Sequence, residues 1–303
     1  MSLLHRRCLV APLVFLTSLV TAGAADAPKP FLWKIEGAKP SYVFGTIHLS
    51  NPEVTKLTPA TQKAFDSADA LYTEVPMDKA NQLKAAGALM GAESLSDVLP
   101  KDLYARADAE LRRINPVLTL EPLGKLKIWA LAITLVLIEE QLKNPGGQPL
   151  DAILYANAEG AGKQVGGIET FEEQVGVFDA FSKDEQIVML RATLDDMERA
   201  RKEGRSPLDE MRKAYLGGDL EKLDKLMNEW MTGLDPKLLA RFMDALLTKR
   251  NHGMAERISA KVKTAPDKSQ FFAIGAAHLI GDEGVLKLLE KQGLKVTRVM
   301  EAP

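Results

Sequence analysis

Apolar positions recur along this chain with two different spacings. Short strand-like runs occupy residues 31–36, 41–48, 70–75, 163–169, 269–278 and 295–300. Runs of this length bounded by turn residues read as strands, and the near-continuous apolar character of residues 42–47 and 271–277 is expected of strands covered on both faces. Gly37-Ala38-Lys39-Pro40 joins the first two as a hairpin. The long stretches between carry apolar residues at helical spacing. Thr58-Pro59 opens one helix, with Thr58 as N-cap and proline at the first helical position. Residues 95–114 and 125–142 read as further helices, Asn144-Pro145-Gly146-Gly147 interrupts the pattern, and residues 150–159 resume it. Residues 171–265 are again helical, and a final helix is expected over 281–292. The pattern predicts an α/β fold: one domain with a central mixed sheet of short strands and long helical insertions.

The first residues read differently. His5-Arg6-Arg7 is a positive start, residues 8–20 are apolar but too few to span a bilayer, and Ala22-Gly23-Ala24 offers small residues for cleavage. Residues 1–24 are therefore expected to be a signal peptide, leaving a 25–303 domain. The protein is expected to be exported: periplasmic in a Gram-negative source, otherwise secreted. A retained signal anchor is the rival reading. The most apolar later run, residues 128–138, falls short of the ~20 residues a span needs, so no stable membrane insertion is expected after cleavage.

Composition narrows the chemistry. The sequence holds one cysteine, Cys8, which the expected cleavage removes. That excludes a cysteine nucleophile and cysteine-ligated zinc in the processed chain. A net charge of −2 gives no broad nucleic-acid-binding surface. H-E-x-x-H, G-x-S-x-G, phosphate-loop and dinucleotide signatures are all absent.

Two of the four histidines share a setting: Gly45-Thr46-Ile47-His48 and Gly275-Ala276-Ala277-His278. Each ends a predicted strand, where side chains enter the crevice of an α/β sheet. Glycine three residues earlier leaves room for another backbone to approach. The plain alternative is two unrelated strand-end histidines bonded to loops. Glu74 and Glu169 also end predicted strands, and carboxylates beside histidine suit a divalent metal or general-base work. A helix cap explains Glu169 almost as well. Arg250-Asn251 would suit an oxyanion or a carboxylate, although sequence alone favours a solvated helix face. Asp151 reads as the N-cap of the helix beginning at Ala152.

These blocks, in their order and spacing, resemble the TraB/GumN family, to which the TIKI proteins are related. The resemblance rests on FLWKIEG, SYVFGTIHLS, LYTEVPMD, LDAILYANAEGAGKQVGGIETFEEQ, KRNHGMAERI and FFAIGAAHLIGDEGVLKLLEKQGLKV. It implies a divalent-metal-dependent protease with Mn²⁺, Co²⁺ or Zn²⁺ at His48, His278 and Glu74, and a peptide or protein as substrate. Glu169, Arg250 and Asn251 match further positions of the family, and on this reading they serve the catalysis. A non-catalytic exported binding protein, holding a peptide, haem or other small ligand in the same pocket, is the second reading.

Overall fold

The computed structural model describes residues 29–300, so the expected leader lies outside the described residues. Six strands form one mixed sheet: β1 (Leu32–Ile35), β2 (Ser41–Thr46), β3 (Ala70–Thr73), β4 (Gln164–Gly167), β5 (Gln270–Gly275) and β6 (Val296–Arg298). Their order is β4-β3-β5-β2-β1-β6. The four strands β4, β3, β5 and β2 run parallel, and the antiparallel hairpin partner β1 carries antiparallel β6 at the edge. All six predicted strands are present in a single sheet.

Alternate side chains of each strand enter opposite cores, because successive strand residues point to opposite faces. Trp33, Val43, Tyr72, Phe272 and Ile274 pack with Met254, Ala255, Ile258 and Leu289 on one face. Leu32, Phe44, Leu71, Phe271 and Ala273 pack with Phe65, Leu150, Leu154 and Ala158 on the other. The result is three layers, with helices on both sides of the sheet. Phe271 and Phe272 are fully buried on opposite faces, and truncating either to alanine would cost about 3–5 kcal/mol. The helical insertions add a core of their own around Leu103, Leu111, Leu131, Leu135, Leu190 and Leu194.

The helix Pro59–Ser67 begins as expected, with Thr58 accepting from the Thr61 N–H and Pro59 at its first position. Three expected helices differ. Residues 95–114 divide into Leu95–Val98 and Lys101–Ile114, because Pro100 interrupts them. The helix expected over 125–142 starts only at Ile128 and runs to Lys143, burying Ile128, Trp129, Ala130, Leu131 and Leu135, while Ile133 is exposed. The last helix is only Val285–Lys291: Gly281 takes a φ of +76°, and Gly284 is the N-cap, so Asp282 and Glu283 precede the helix. No helix among the described residues is long and apolar enough to cross a membrane.

Candidate functional site

The carboxyl ends of four parallel neighbours carry the candidate residues. His48 follows β2, Glu74 follows β3, Glu169 follows β4 and His278 follows β5. Parallel pairing aligns those ends, so residues far apart in sequence share one crest, as in other open α/β sheets. Neither histidine is in its strand: β2 stops at Thr46, two residues before His48, and β5 stops at Gly275, after which residues Ala276–Leu279 form a 3-10 turn that draws in His278. Its side chain is 5% exposed, against 57% for His48. One imidazole therefore closes the floor of the site, and the other stands at its mouth.

Both imidazoles bring Nε2 to the same carboxylate oxygen. Glu74 Oε1 lies 3.7 Å from His278 Nε2 and 3.9 Å from His48 Nε2. Each opposite ring nitrogen is engaged. His278 Nδ1 is 2.6 Å from Asn251 Oδ1, while Asn251 Nδ2 donates to the Glu283 carbonyl at 2.8 Å. The carbonyl can only accept, so it fixes which end of the amide faces the ring. Asn251 Oδ1 then demands a proton on His278 Nδ1 and leaves the Nε2 lone pair free. At the second histidine, Nδ1 is 2.9 Å from Asp151 Oδ2.

Glu74 is held from three directions. The Gly275 N–H donates to Oε1 at 2.6 Å, and Arg250 Nη2 and Gln174 Nε2 donate to Oε2 at 2.8 and 2.9 Å. Arg250 also bonds Glu169 through both Nε and Nη2, the shorter contact being 2.7 Å. Its Nη1 donates to the Leu246 carbonyl at 3.1 Å. Leu246 belongs to the π-helical turn Asp244–Thr248, which widens the helix just before Arg250. The capping box of Thr170 and Glu173 starts the helix Phe171–Asp179 that presents Gln174.

Charge follows from this geometry. Burial works to raise the Glu74 pKa, but His278, His48, Arg250 and the Gly275 N–H outweigh it and lower the value to about 2. His278 is itself pushed down to about 4 by burial, so at neutral pH its share of that attraction is absent and the other three carry it. Asp151 is the main cause that raises His48, to about 9. Burial opposes the charge on Arg250, but Glu169 and Glu74 hold it in the cationic form.

The structure thus brings His48, Glu74, Glu169, Arg250, Asn251 and His278 into one contiguous network. Arg250 is buried there, not on a solvated face, its side chain being 10% exposed. The Asn251 amide is occupied at both ends and sits behind His278. His252, the remaining described histidine, pairs with Glu283 on the surface instead. Asp151 is no N-cap: Pro149 holds that position, and the Asp151 side chain reaches across to β2. Sequence reasoning missed Gln174 and the tertiary role of Asp151, because a helix's first-turn acid and a surface-type amide look alike wherever they point.

The two glycines of the repeated motif do different jobs. A Cβ on Gly45 would meet Leu279 Cδ1 at 2.7 Å and Ala276 Cα at 3.3 Å, so this glycine lets the β2 crest pack against the 3-10 turn. A Cβ on Gly275 would meet Glu74 Oε1 at 2.9 Å, His48 Nε2 at 3.6 Å and His278 Cδ2 at 3.7 Å. Gly275 therefore keeps a small space clear among the three polar side chains. Two imidazole nitrogens and a carboxylate oxygen are a donor set for Zn²⁺, Co²⁺ or Mn²⁺. Tetrahedral ligands about 2.0–2.1 Å from an ion stand roughly 3.4 Å apart, a few tenths less than the separations from Glu74. As they stand, no three His, Cys, Asp or Glu side chains among the described residues have metal-holding geometry.

A six-stranded mixed sheet with helices on both faces, and a His–Glu–His cluster on its parallel crest, define a single-domain α/β protein with one polar crest site. The chain belongs to the TraB/PrgY/gumN family, whose model matches residues 31–298. It is similar to "Metalloprotease TIKI1" of Homo sapiens, with 29% identity over 308 residues, 88% of this chain and 61% of that protein. It is also similar to "Metalloprotease TIKI2" of Danio rerio, with 28% identity over 312 residues, 88% of this chain and 60% of that protein. The chain thus spans about three fifths of the length of these relatives. No solved structure matches it.

Proposed function

We propose that this protein is a divalent-metal-dependent hydrolase that cleaves peptide bonds outside the cytoplasm. One observation carries the reading: two imidazoles, both with Nδ1 engaged, aim Nε2 at the same oxygen of one buried carboxylate. His48, His278 and Glu74 would hold the ion. Bound there, it supplies Lewis-acid polarisation of the scissile carbonyl and a water of lowered pKa. The similarity to proteins named metalloproteases supports the peptide bond as substrate.

The chain's own residues then divide the work. Glu74 already accepts three donors and is held anionic, which suits it to ligate rather than to take up a proton. Arg250 bridges Glu74 and Glu169 and fixes the crest of β3 against that of β4. Glu169 anchors Arg250, and Asn251 orients His278. His48 stands at the open side, so a substrate approaches past it.

The test is metal analysis of the purified protein, with hydrolysis of a peptide library before and after chelation. Near-stoichiometric divalent ion is expected, with cleavage lost on chelation and restored by Mn²⁺, Co²⁺ or Zn²⁺. Cleavage that survives complete metal removal would overturn the reading.

A further inference from the structure

Asp151 is a buried acid whose bonding has no structural need to include a histidine. It lies at the second position of the helix Leu150–Gly160, on the face packed against the sheet, and its side chain is 4% exposed. Acids in a helix's first turn usually turn to the helix's own free N–H groups. This one reaches 105 residues back to β2, where Thr46 Oγ1 donates to Oδ1 at 2.6 Å. The other oxygen, Oδ2, faces His48 Nδ1 at 2.9 Å. The Thr46 hydroxyl thus pins the carboxylate by one oxygen and presents the other to the ring. Thr46 is the second residue of the motif that ends in His48, so the same short segment supplies both the clamp's anchor and its target.

The floor histidine is held in the same way by a different group. His278 Nδ1 meets Asn251 Oδ1, and the Glu283 carbonyl sets the amide. Both rings are therefore oriented from behind through Nδ1, one by an anion and one by an amide. The anion serves the ring that most needs it: His48 is 57% exposed and has little packing to fix its χ angles, whereas His278 is buried on all sides.

We propose that Asp151 is a positioning residue for His48: anchored by Thr46, it holds the proton on Nδ1, so that Nε2, turned toward Glu74, is the nitrogen that gives up its proton on binding the ion. The assignment rests on the metal-site reading given above. A ligating histidine whose other N–H is held by a carboxylate has a fixed tautomer and greater basicity, and loss of such a partner typically costs about 10–100-fold in metal affinity.

The experiment is a titration of metal-free protein with Co²⁺, comparing wild type with Asp151→Asn, together with NMR of the histidine ring N–H groups. The amide of that variant would retain the size of the side chain but could offer an N–H to the ring and so favour the wrong tautomer. Co²⁺ binding about 10–100-fold weaker is expected, in protein whose circular dichroism is unchanged. In wild type, a protected Nδ1–H resonance that disappears in His48→Ala is expected, and Asp151→Ala should abolish it too. Unchanged Co²⁺ affinity in folded Asp151→Asn, or a His48 Nδ1–H resonance indifferent to Asp151, would overturn the proposal. If Asp151→Asn does not fold, Thr46→Val serves in its place: weaker Co²⁺ binding supports the anchored clamp, and unchanged binding overturns it. A wild-type protein that binds no Co²⁺, yet shows the Asp151-dependent resonance, would remove the metal site while leaving the positioning of His48 standing.

Discussion

Arg250 and Glu74 are 176 positions apart in sequence, yet Nη2 of one lies 2.8 Å from Oε2 of the other. The same guanidinium nitrogen is 2.7 Å from Glu169 Oε2. One buried cation thus bridges two buried carboxylates.

Removing that cation should be severe. Arg250→Ala would leave Glu74 and Glu169 without their shared counter-charge, and losing one partner of a buried pair typically costs about 3–5 kcal/mol. Arg250→Lys should recover only part, because an ammonium cannot reproduce the forked contact with Glu169. Denaturant unfolding of the three proteins measures this. Equal stability of the alanine variant and wild type would show that the cluster is not a structural unit.

The two motif glycines should separate stability from metal binding. Gly45→Ala forces a methyl against Leu279 and the Ala276 backbone, and such overpacking costs about 1–3 kcal/mol. Gly275→Ala places its methyl among Glu74, His48 and His278, so Co²⁺ binding should fall well beyond any change in melting temperature. Paired calorimetry and metal titration check this. Identical behaviour of the two variants would contradict the division of roles.

Acid should weaken the chelator-treated protein through His278. Burial depresses its pKa from 6.5 to about 4, so the folded state binds fewer protons than the unfolded state in that interval. The sign follows: this contribution to stability is complete above about pH 6.5 and is lost as pH falls through 4. His278→Gln should flatten that part of a stability-against-pH curve. An unaltered slope across the interval would show that His278 is not held neutral by burial.

Export with cleavage after Ala24 should leave a protein beginning at Ala25 or close to it. Intact-mass measurement on protein recovered outside the cytoplasm decides this. Retention of residues 1–24 would contradict the leader assignment.

Much of the sheet is legible in the sequence because β1, β2, β3 and β5 are short runs between turn residues, with most of their side chains buried on both faces. The ends of β2 and β3 are legible to within two residues, β2 stopping at Thr46 and β3 at Thr73, shortly before His48 and Glu74. The turn that carries His278 is not: Ala276 and Ala277 continue the apolar run of β5, and nothing in their composition marks the change from strand to 3-10 geometry. Arg250 looks solvated in sequence because its neighbours Lys249 and His252 are exposed, and only the tertiary position of Glu74 and Glu169 turns it inward. Asp151 reads as part of its local helix alone, whereas its partners lie on a strand about a hundred residues earlier, at Thr46 and His48.

The place of β5 in the sheet sets the order in which this protein can come into being. β5 lies between β3 and β2, so the ladder joining the two halves of the sheet is supplied by residues 270–275, near the end of the chain. On a ribosome, β1 and β2 emerge early and form a hairpin, and β3 and β4 pair later, but the two pieces have no common ladder until β5 arrives. A nascent chain halted before residue 270 therefore leaves the β2 and β3 edges that β5 joins, and the β1 edge that β6 covers, unpaired, the features that chaperones cover and that aggregation exploits. Pairing strands so distant in sequence also makes folding slow relative to local helix formation. Residues 270–275 are thus the keystone, and a chain halted before them has neither a finished sheet nor His278.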